Sequence, residues 1–399
     1  MKTTNNYILF DSPKSRIDLL PFTYTRAISE IRAGILTIKE KWEHFLNTKT
    51  SYLVEDYLSE KFLSVFSKTN IFINSTIIPS ESLAEQVTKI KSGEVIFHKN
   101  TFIAAGYNAK DFTTVFNNNF DSFKKIEFTE DIDTIEFKWD IFQKNNKNIT
   151  DDFEILTKNR KSQKLNESNK LIGKHKIFIE EGADIQCATL NTTEGPIYIG
   201  KNTVVMEGAL IRGPFALCDH SHVKMGAKIY TGTTIGPHCK VGGEINNSIF
   251  FGFANKAHDG FLGNSVIGEW CNIGADSNNS NLKNNYDDVK VWDYNKKGFS
   301  SSGSQFCGLF MGDHSKCGIN TMFNTGTVVG VSCNIYGAGF PRTFIPSFSW
   351  GGAAGTTIHK LNKAFKTAEL VMKRRELEFD KIEKEIFEHI FELSQEFHH

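Results

Sequence analysis

The chain has 399 residues, 46 basic and 46 acidic side chains, and 40% apolar content. That length suits two or three domains, and the balanced charge gives no reason to expect a nucleic-acid partner. No apolar run approaches the span of a membrane, and MKTTNNYILFD lacks a cationic stretch followed by an apolar one, so the expectation is a cytoplasmic protein with no membrane segment.

Residues 1–108 read as a small α/β domain. YILF at 7–10 is a strand pattern. SEIRAGILTIKEKWEHFL at 29–46 has helical periodicity, weakened at Gly34. NIFINSTII at 70–78 and EVIFHKNTFIAAG at 94–106 read as further strands. Residues 109–170 are polar and rich in Asn and Lys, and read as a connector with short elements.

From there the chain repeats every six residues. Ile199, Val205, Ile211, Leu217, Val223, Ile229, Ile235 and Val241 are all aliphatic, and the residue two places earlier is mostly small. Ile249, Asn255, Phe261, Ile267 and Ile273 continue the period in shifted phase, as do Met311, Cys317, Phe323, Val329 and Ile335. A period of six is neither helical nor a simple strand alternation, and it predicts a parallel β-helix over residues 171–350. The aliphatic residue points inward, and each coil covers the apolar face of the next. The seven cysteines all follow residue 186 and contain no C-x-x-C, which argues against disulfides and structural zinc. Those on repeat slots read as buried packing residues. Residues 356–397 read as a C-terminal α-helix, with Phe379, Ile382, Ile386, Ile390, Leu393 and Phe397 at spacings of three and four.

One segment breaks the repeat. In NKAHDGFLGNSVIG, the period places Asn255 on an inward slot and Asp259 on a small one. A two-residue insertion between Val241 and Ile249 precedes it, and a long excursion follows from about Ser277 to Phe306. Rule-breaking polar residues beside a long loop suggest a functional site. His258 is a candidate general base, because histidine titrates near working pH. Lys256 is a candidate phosphate contact. Backbone N–H groups at Gly268 and Gly274 are candidate oxygen donors. Two alternatives stay open for the histidines: His220, His238 and His258 as a stacked surface ladder, or as metal ligands.

The hexad pattern resembles the left-handed parallel β-helix of hexapeptide-repeat acyltransferases, a family that generally forms trimers. That resemblance implies the left hand, a homotrimer and sites between neighbouring prisms. The segment Lys256-Ala-His258, Phe261-Leu262-Gly263, Asn272-Ile273-Gly274-Ala275, Asn285-Tyr286-Asp287 and Lys290 resembles the acetyltransferase half of the bifunctional GlmU enzymes. Phe261 stands where that family has tyrosine, and Lys256 lies one residue closer to the histidine. The resemblance implies His258 as base, with Arg212, Lys256, Asn272, Asn285, Tyr286 and Lys290 on the sugar phosphate or the acetyl donor. No metal is implied at that site. LLPFTYTRAISEIRAGILTIKEKW at 19–42 is similar to the opening of variant GlmU-like sugar nucleotidyltransferases, which implies Arg26, Arg32 and Lys41 as nucleotide contacts. Where that family's glycine-rich phosphate loop belongs, this chain reads DSPKSR. Asp11 and Asp56 are the candidates for a magnesium ion.

The implied function is N-acetylation of an amino-sugar phosphate, glucosamine 1-phosphate first, by acetyl-CoA. Nucleotidyl transfer from UTP with magnesium to give UDP-N-acetylglucosamine is the possible second activity. Competing readings are a degenerate module that binds a sugar nucleotide and regulates a partner, and a metal-dependent hydratase built on the histidines.

Overall fold

The computed structural model describes residues 5–107 and 119–398. The expected domain boundary at 108/109 lies outside the described residues. The chain forms two compact units, one of residues 1–31 and 36–137, the other of residues 32–35 and 138–399. The connector is therefore divided between them, and its second half contributes helices to the second unit.

The first unit is built on a six-stranded sheet. Its strands are β1 (Asn6–Phe10), β2 (Ser51–Leu53), β3 (Asn70–Asn74), β5 (Glu94–His98), β6 (Thr101–Tyr107) and β7 (Lys124–Glu127), in the order β2-β1-β3-β6-β5-β7. β1 pairs in parallel with β2 and β3, while β6 is antiparallel to β3 and β5. The NIFINSTII stretch divides into β3 and the short β4 (Ile77–Ile78). Ile8, Phe10, Phe72, Val95 and Phe102 bury one apolar cluster. The short helix α1 (Pro13–Asp18) follows β1 directly. The helix expected over 29–46 begins only at Ile38, as α2 (Ile38–Leu46). Thr37 caps it in a capping box with Glu40, which satisfies backbone donors at both residues. Upstream, Gly34 sits at φ +87°, and a Cβ there would lie 2.5 Å from the Asp152 carboxylate, so helix cannot extend through it. A third helix, α3, spans Glu81–Thr88.

The second unit is a parallel β-solenoid. Its first face has nine strands, from Ile177–Ile179 to Phe344–Ile345. The second face runs from Asp184–Ile185 through Ser349–Gly352, and antiparallel Gly355–Ile358 extends it to ten strands. The third has six strands, from Lys170–Gly173 to Phe261–Gly263, and is continued by the pair Asn278–Asn279 and Met322–Phe323. The eight aliphatic slots from Ile199 to Val241 are all buried in one core cluster. So are Cys239, Cys271, Cys317 and Cys333, and all seven cysteines are free thiols.

The register after Val241 differs from the simple period. Ile235 pairs with Phe250 rather than Ile249, Val241 with Lys256 rather than Asn255, and Ile245 with Leu262 rather than Phe261. The apparent insertion is in fact a pair of shortened turns, four residues from 241 to 245 and five from 245 to 250. Two short steps look like one long one when only every sixth residue is read. Consequently Lys256, not Asn255, occupies the inward slot, and Asp259 stands at a corner.

At the corner between the first and second faces, His220, His238, Phe253, Trp270 and His314 have φ between 53° and 61°. The left-handed conformation costs a non-glycine residue roughly 1–2 kcal/mol. Each offsets it by donating its N–H to the preceding coil, as His238 does to Asp219 O at 3.0 Å. Their rings also stack, at centroid separations of 4.9, 4.8, 4.2 and 6.0 Å along the ladder. The expected ladder exists, but His258 is not in it, because the short turns move it to another corner.

Two helices of the former connector, α4 (Asp140–Gln143) and α5 (Asn145–Thr157), pack on the solenoid. Asn145 donates to Gly232 O at 2.7 Å, and its Oδ1 accepts from Gly34 N. The C-terminal segment forms two helices rather than one, α6 (Leu361–Lys373) and α7 (Lys381–Ser394). Phe379, Ile386 and Ile390 are buried as expected, while Leu393 is exposed and Phe387 takes a core position. Among the described residues no helix is long and apolar enough to cross a membrane.

Candidate functional site

The second face and the end of α6 enclose a groove of about 690 Å³. His258, Asn272, Gly274 and Ala275 lie at one side, Phe253 and Trp270 at the other, and Lys240, Lys316, Arg374 and Arg375 supply charge. Strand pairing explains the arrangement. Lys240, Asn255, Asn272 and Lys316 are successive outward residues of neighbouring coils. Arg375 is tethered by its donation to His238 O at 3.3 Å.

The cations are felt by their neighbours. Burial, then the charges of Arg375, Lys224 and Arg374, hold the Lys240 ammonium below its usual pKa. Burial, then Lys240, Lys224 and Arg375, likewise lower His222. Burial lowers Lys316, which donates to His314 O at 2.9 Å. Lys240, Lys316, Arg374 and Arg375 thus line the groove with positive charge.

His258 is exposed on the corner between the second and third faces, and its imidazole makes no hydrogen bond among the described residues. It is thus available to exchange a proton with a ligand. Lys256 is not available to one. The side chain is 1% exposed and points into the core, where its ammonium donates to His258 O at 2.9 Å and Asp259 O at 3.1 Å. Burial brings it down to a pKa of about 8. With its ammonium on those two carbonyls, Lys256 does not line the groove. The N–H groups of Gly268 and Gly274 are also taken, by Met311 O and Cys317 O in the coil ladder.

The remaining expected residues do not gather in this groove within one chain. Arg212 is exposed and paired with Glu194 at 2.8 Å. Asn285, Tyr286 and Lys290 lie exposed on the excursion, which carries a hairpin of Lys290–Asp293 and Gly298–Ser301. The asparagine tract has a structural use. Asn278 Oδ1 accepts Phe261 N–H at 2.7 Å and Asn279 Oδ1 accepts Gly263 N–H at 2.9 Å, replacing ladder bonds where the coils are out of step. Sequence reasoning missed Lys240, Lys316, Arg374 and Arg375. Lys240 directly precedes the inward Val241, which marks it as outward, but nothing local assigns α6 to that face.

In the first unit the expected nucleotide contacts do not converge. Arg26 is buried and donates to Phe22 O at 3.2 Å, and Lys41 is 2% exposed within α2. They are buried groups, not a solvated face. Arg32 belongs to the solenoid unit and donates to Phe251 O and Ile35 O. The polar centre of the first unit is instead Arg16, the last residue of the DSPKSR stretch. It donates to Thr23 O and Tyr57 Oη, each at 2.8 Å, beside Glu55 at 3.3 Å and Asp11 at 3.6 Å. Burial raises Asp11 to a pKa of about 6 despite Arg16, and its Oδ2 accepts Ile28 N–H. Asp11 beside a guanidinium does not fit a magnesium ligand, Asp56 is exposed, and no group of three or more His, Cys, Asp or Glu side chains forms a metal cage among the described residues.

Residues 7–161 match the model of the sugar nucleotidyl transferase family. It is 28% identical over 142 residues to the uncharacterized acetyltransferase YaiX of Escherichia coli, covering 35% of this chain and 61% of that protein. It is 34% identical over 90 residues to the bifunctional protein GlmU of Methanocaldococcus jannaschii, covering 23% of this chain and 21% of that one. To the bifunctional sugar-1-phosphate nucleotidylyltransferase/acetyltransferase of Sulfurisphaera tokodaii it is 35% identical over 94 residues, covering 23% of each. The chain thus spans under two thirds of YaiX and under a quarter of the two bifunctional proteins. A solved polysialic acid O-acetyltransferase, OatWY, overlays 48% of this chain and 87% of its own at 12% identity, with a TM-score of 0.26.

Proposed function

We propose that the chain is an acetyl-CoA-dependent N-acetyltransferase of an amino-sugar phosphate, with glucosamine 1-phosphate as the first acceptor to test. The observation that carries it is the unpartnered His258 imidazole at the edge of a cationic groove with an aromatic flank. The groove's cations suit the phosphates of the donor. His258 takes a proton from the attacking amine, the amine nitrogen bonds to the thioester carbonyl carbon, and the carbon–sulfur bond breaks as His258 returns that proton to the sulfur, releasing the CoA thiol. Asn272 stands at the same groove to orient the acceptor. Arg212, Asn285, Tyr286 and Lys290 serve acceptor or donor across a neighbouring copy in a cytoplasmic homotrimer. Exposed apolar side chains favour such a contact: Met225 is 69% exposed and Ile319 71%.

For the first unit a second reading has its own support. β1 runs straight into α1 through Ser12, and Arg16 is consumed by internal partners. That arrangement favours a sugar-nucleotide-binding module over active nucleotidyl transfer from UTP, and no step through magnesium is assigned. The test is to incubate the full chain with glucosamine 1-phosphate and acetyl-CoA and follow free thiol. A parallel tube with UTP, magnesium and pyrophosphatase is read for phosphate. Thiol release without phosphate is the expected result. No thiol release with any amino-sugar phosphate overturns the acetyltransferase reading, and phosphate release overturns the binding-module reading.

A further inference from the structure

We propose that Lys256 is a positioning residue, whose buried ammonium props from inside the solenoid the corner turn that carries His258. The inference rests on the reading of His258 as the base.

The slot itself is the first argument. Lys256 pairs with Val241 of the coil before, and Ile273 fills the same slot in the coil after. An aliphatic side chain fits there. A buried ammonium costs stability that two carbonyl acceptors only partly return. Its replacement by a hydrophobic residue of similar volume is the cheaper core, so the lysine needs a reason other than packing.

The turn supplies that reason. In the preceding coil the same corner is only Gly242–Gly243, two residues shorter than Ala257–Gly260. The longer turn overhangs the shorter one. The fit is so close that a Cβ on Gly243 would meet Gly260 O at 2.6 Å and His258 O at 3.0 Å, and one on Gly260 would meet Ser277 O at 2.2 Å. No side chain from the coil before can reach under the overhang. Lys256 reaches it from the core side and fastens the carbonyls of His258 and Asp259, one on either side of Asp259. The His258 imidazole makes no hydrogen bond among the described residues, so the backbone of the turn carries its orientation. Catalytic geometry is lost with misplacement on the scale of 1 Å.

The experiment compares the full-length protein with Lys256→Met and, in case that variant folds poorly, Lys256→Leu. Hydrogen exchange is read on peptides spanning 257–263, beside thermal unfolding and steady-state acetyl transfer. The expected result is faster exchange confined to 257–263, a Tm equal to or above that of the parent, and a kcat reduced at least tenfold with KM for acetyl-CoA within twofold. Unchanged exchange at 257–263 overturns the proposal. So does a fall in Tm with faster exchange throughout the solenoid in both variants, which marks the lysine as part of the general core. If the parent protein transfers no acetyl group, the reading of His258 falls, and the exchange comparison still decides whether Lys256 holds the turn.

Discussion

Val241 and Lys256 occupy one slot in consecutive coils, hydrogen-bonded in register, one a plain core aliphatic and the other an ammonium with both its acceptors on the turn it leads into. The substitution of charge for hydrocarbon coincides with a corner where the lengths of consecutive coils disagree.

Removing His258 should separate chemistry from folding. Its side chain is exposed and bonds to nothing described, so His258→Ala should leave Tm within about 1 °C while lowering kcat by roughly 10²–10⁴. Thiol release and scanning calorimetry on the same preparation check both halves.

The groove cations should act on donor binding. Arg375→Ala, and separately Lys240→Ala, should raise KM for acetyl-CoA by about five- to tenfold with a smaller effect on kcat. The parent's KM should itself rise with salt, and more steeply than that of the variants. Initial rates at two ionic strengths decide this.

Acid should act on the first unit through Asp11. Its folded pKa of about 6 lies above the unfolded value near 3.8. Its contribution is therefore fully present below pH 3.8 and is lost as pH rises through 6. The shift corresponds to something on the order of 3 kcal/mol. The parent should gain stability relative to Asp11→Asn as pH falls from 7 to 4, whatever the offset between them at pH 7. Urea unfolding at a series of pH values, followed at the buried Trp42, measures the difference.

If copies associate through the corner that bears His258, Met225→Glu with Ile319→Glu should shift the assembly to monomers without lowering helix and strand content. Analytical ultracentrifugation with circular dichroism reads it. A parent that sediments as a monomer removes the trimer from the picture.

The solenoid was legible because its signal is repeated: eight slots in step leave little room for another fold. The site was legible only in part. His258 and Asn272 were found from local motif and do share a groove. Lys256 was assigned to the outside because a strict count of six cannot register a turn that shortens to four. Arg26, Arg32 and Lys41 were read as contacts because sequence gives charge without burial, and two of the three lie inside the first unit's core while the third is spent on carbonyls of the second. The basic wall from α6 was invisible, since it comes from a helix about a hundred residues further along the chain than the face it meets.

The peptide Arg32–Ile35 has a practical consequence. It lies within the first third of the chain yet belongs to the solenoid unit, with Gly34 N–H on Asn145 and Ile35 N–H on Asp152, each at 2.8 Å. A single cut at 137/138 would leave the buried Asn145 and Asp152 without those donors, and Ile149 and Phe153 without Ile35. The two units are thus interleaved in the gene as well as joined by it. Neither half can be inherited, exchanged or expressed by one clean break without taking a piece of the other.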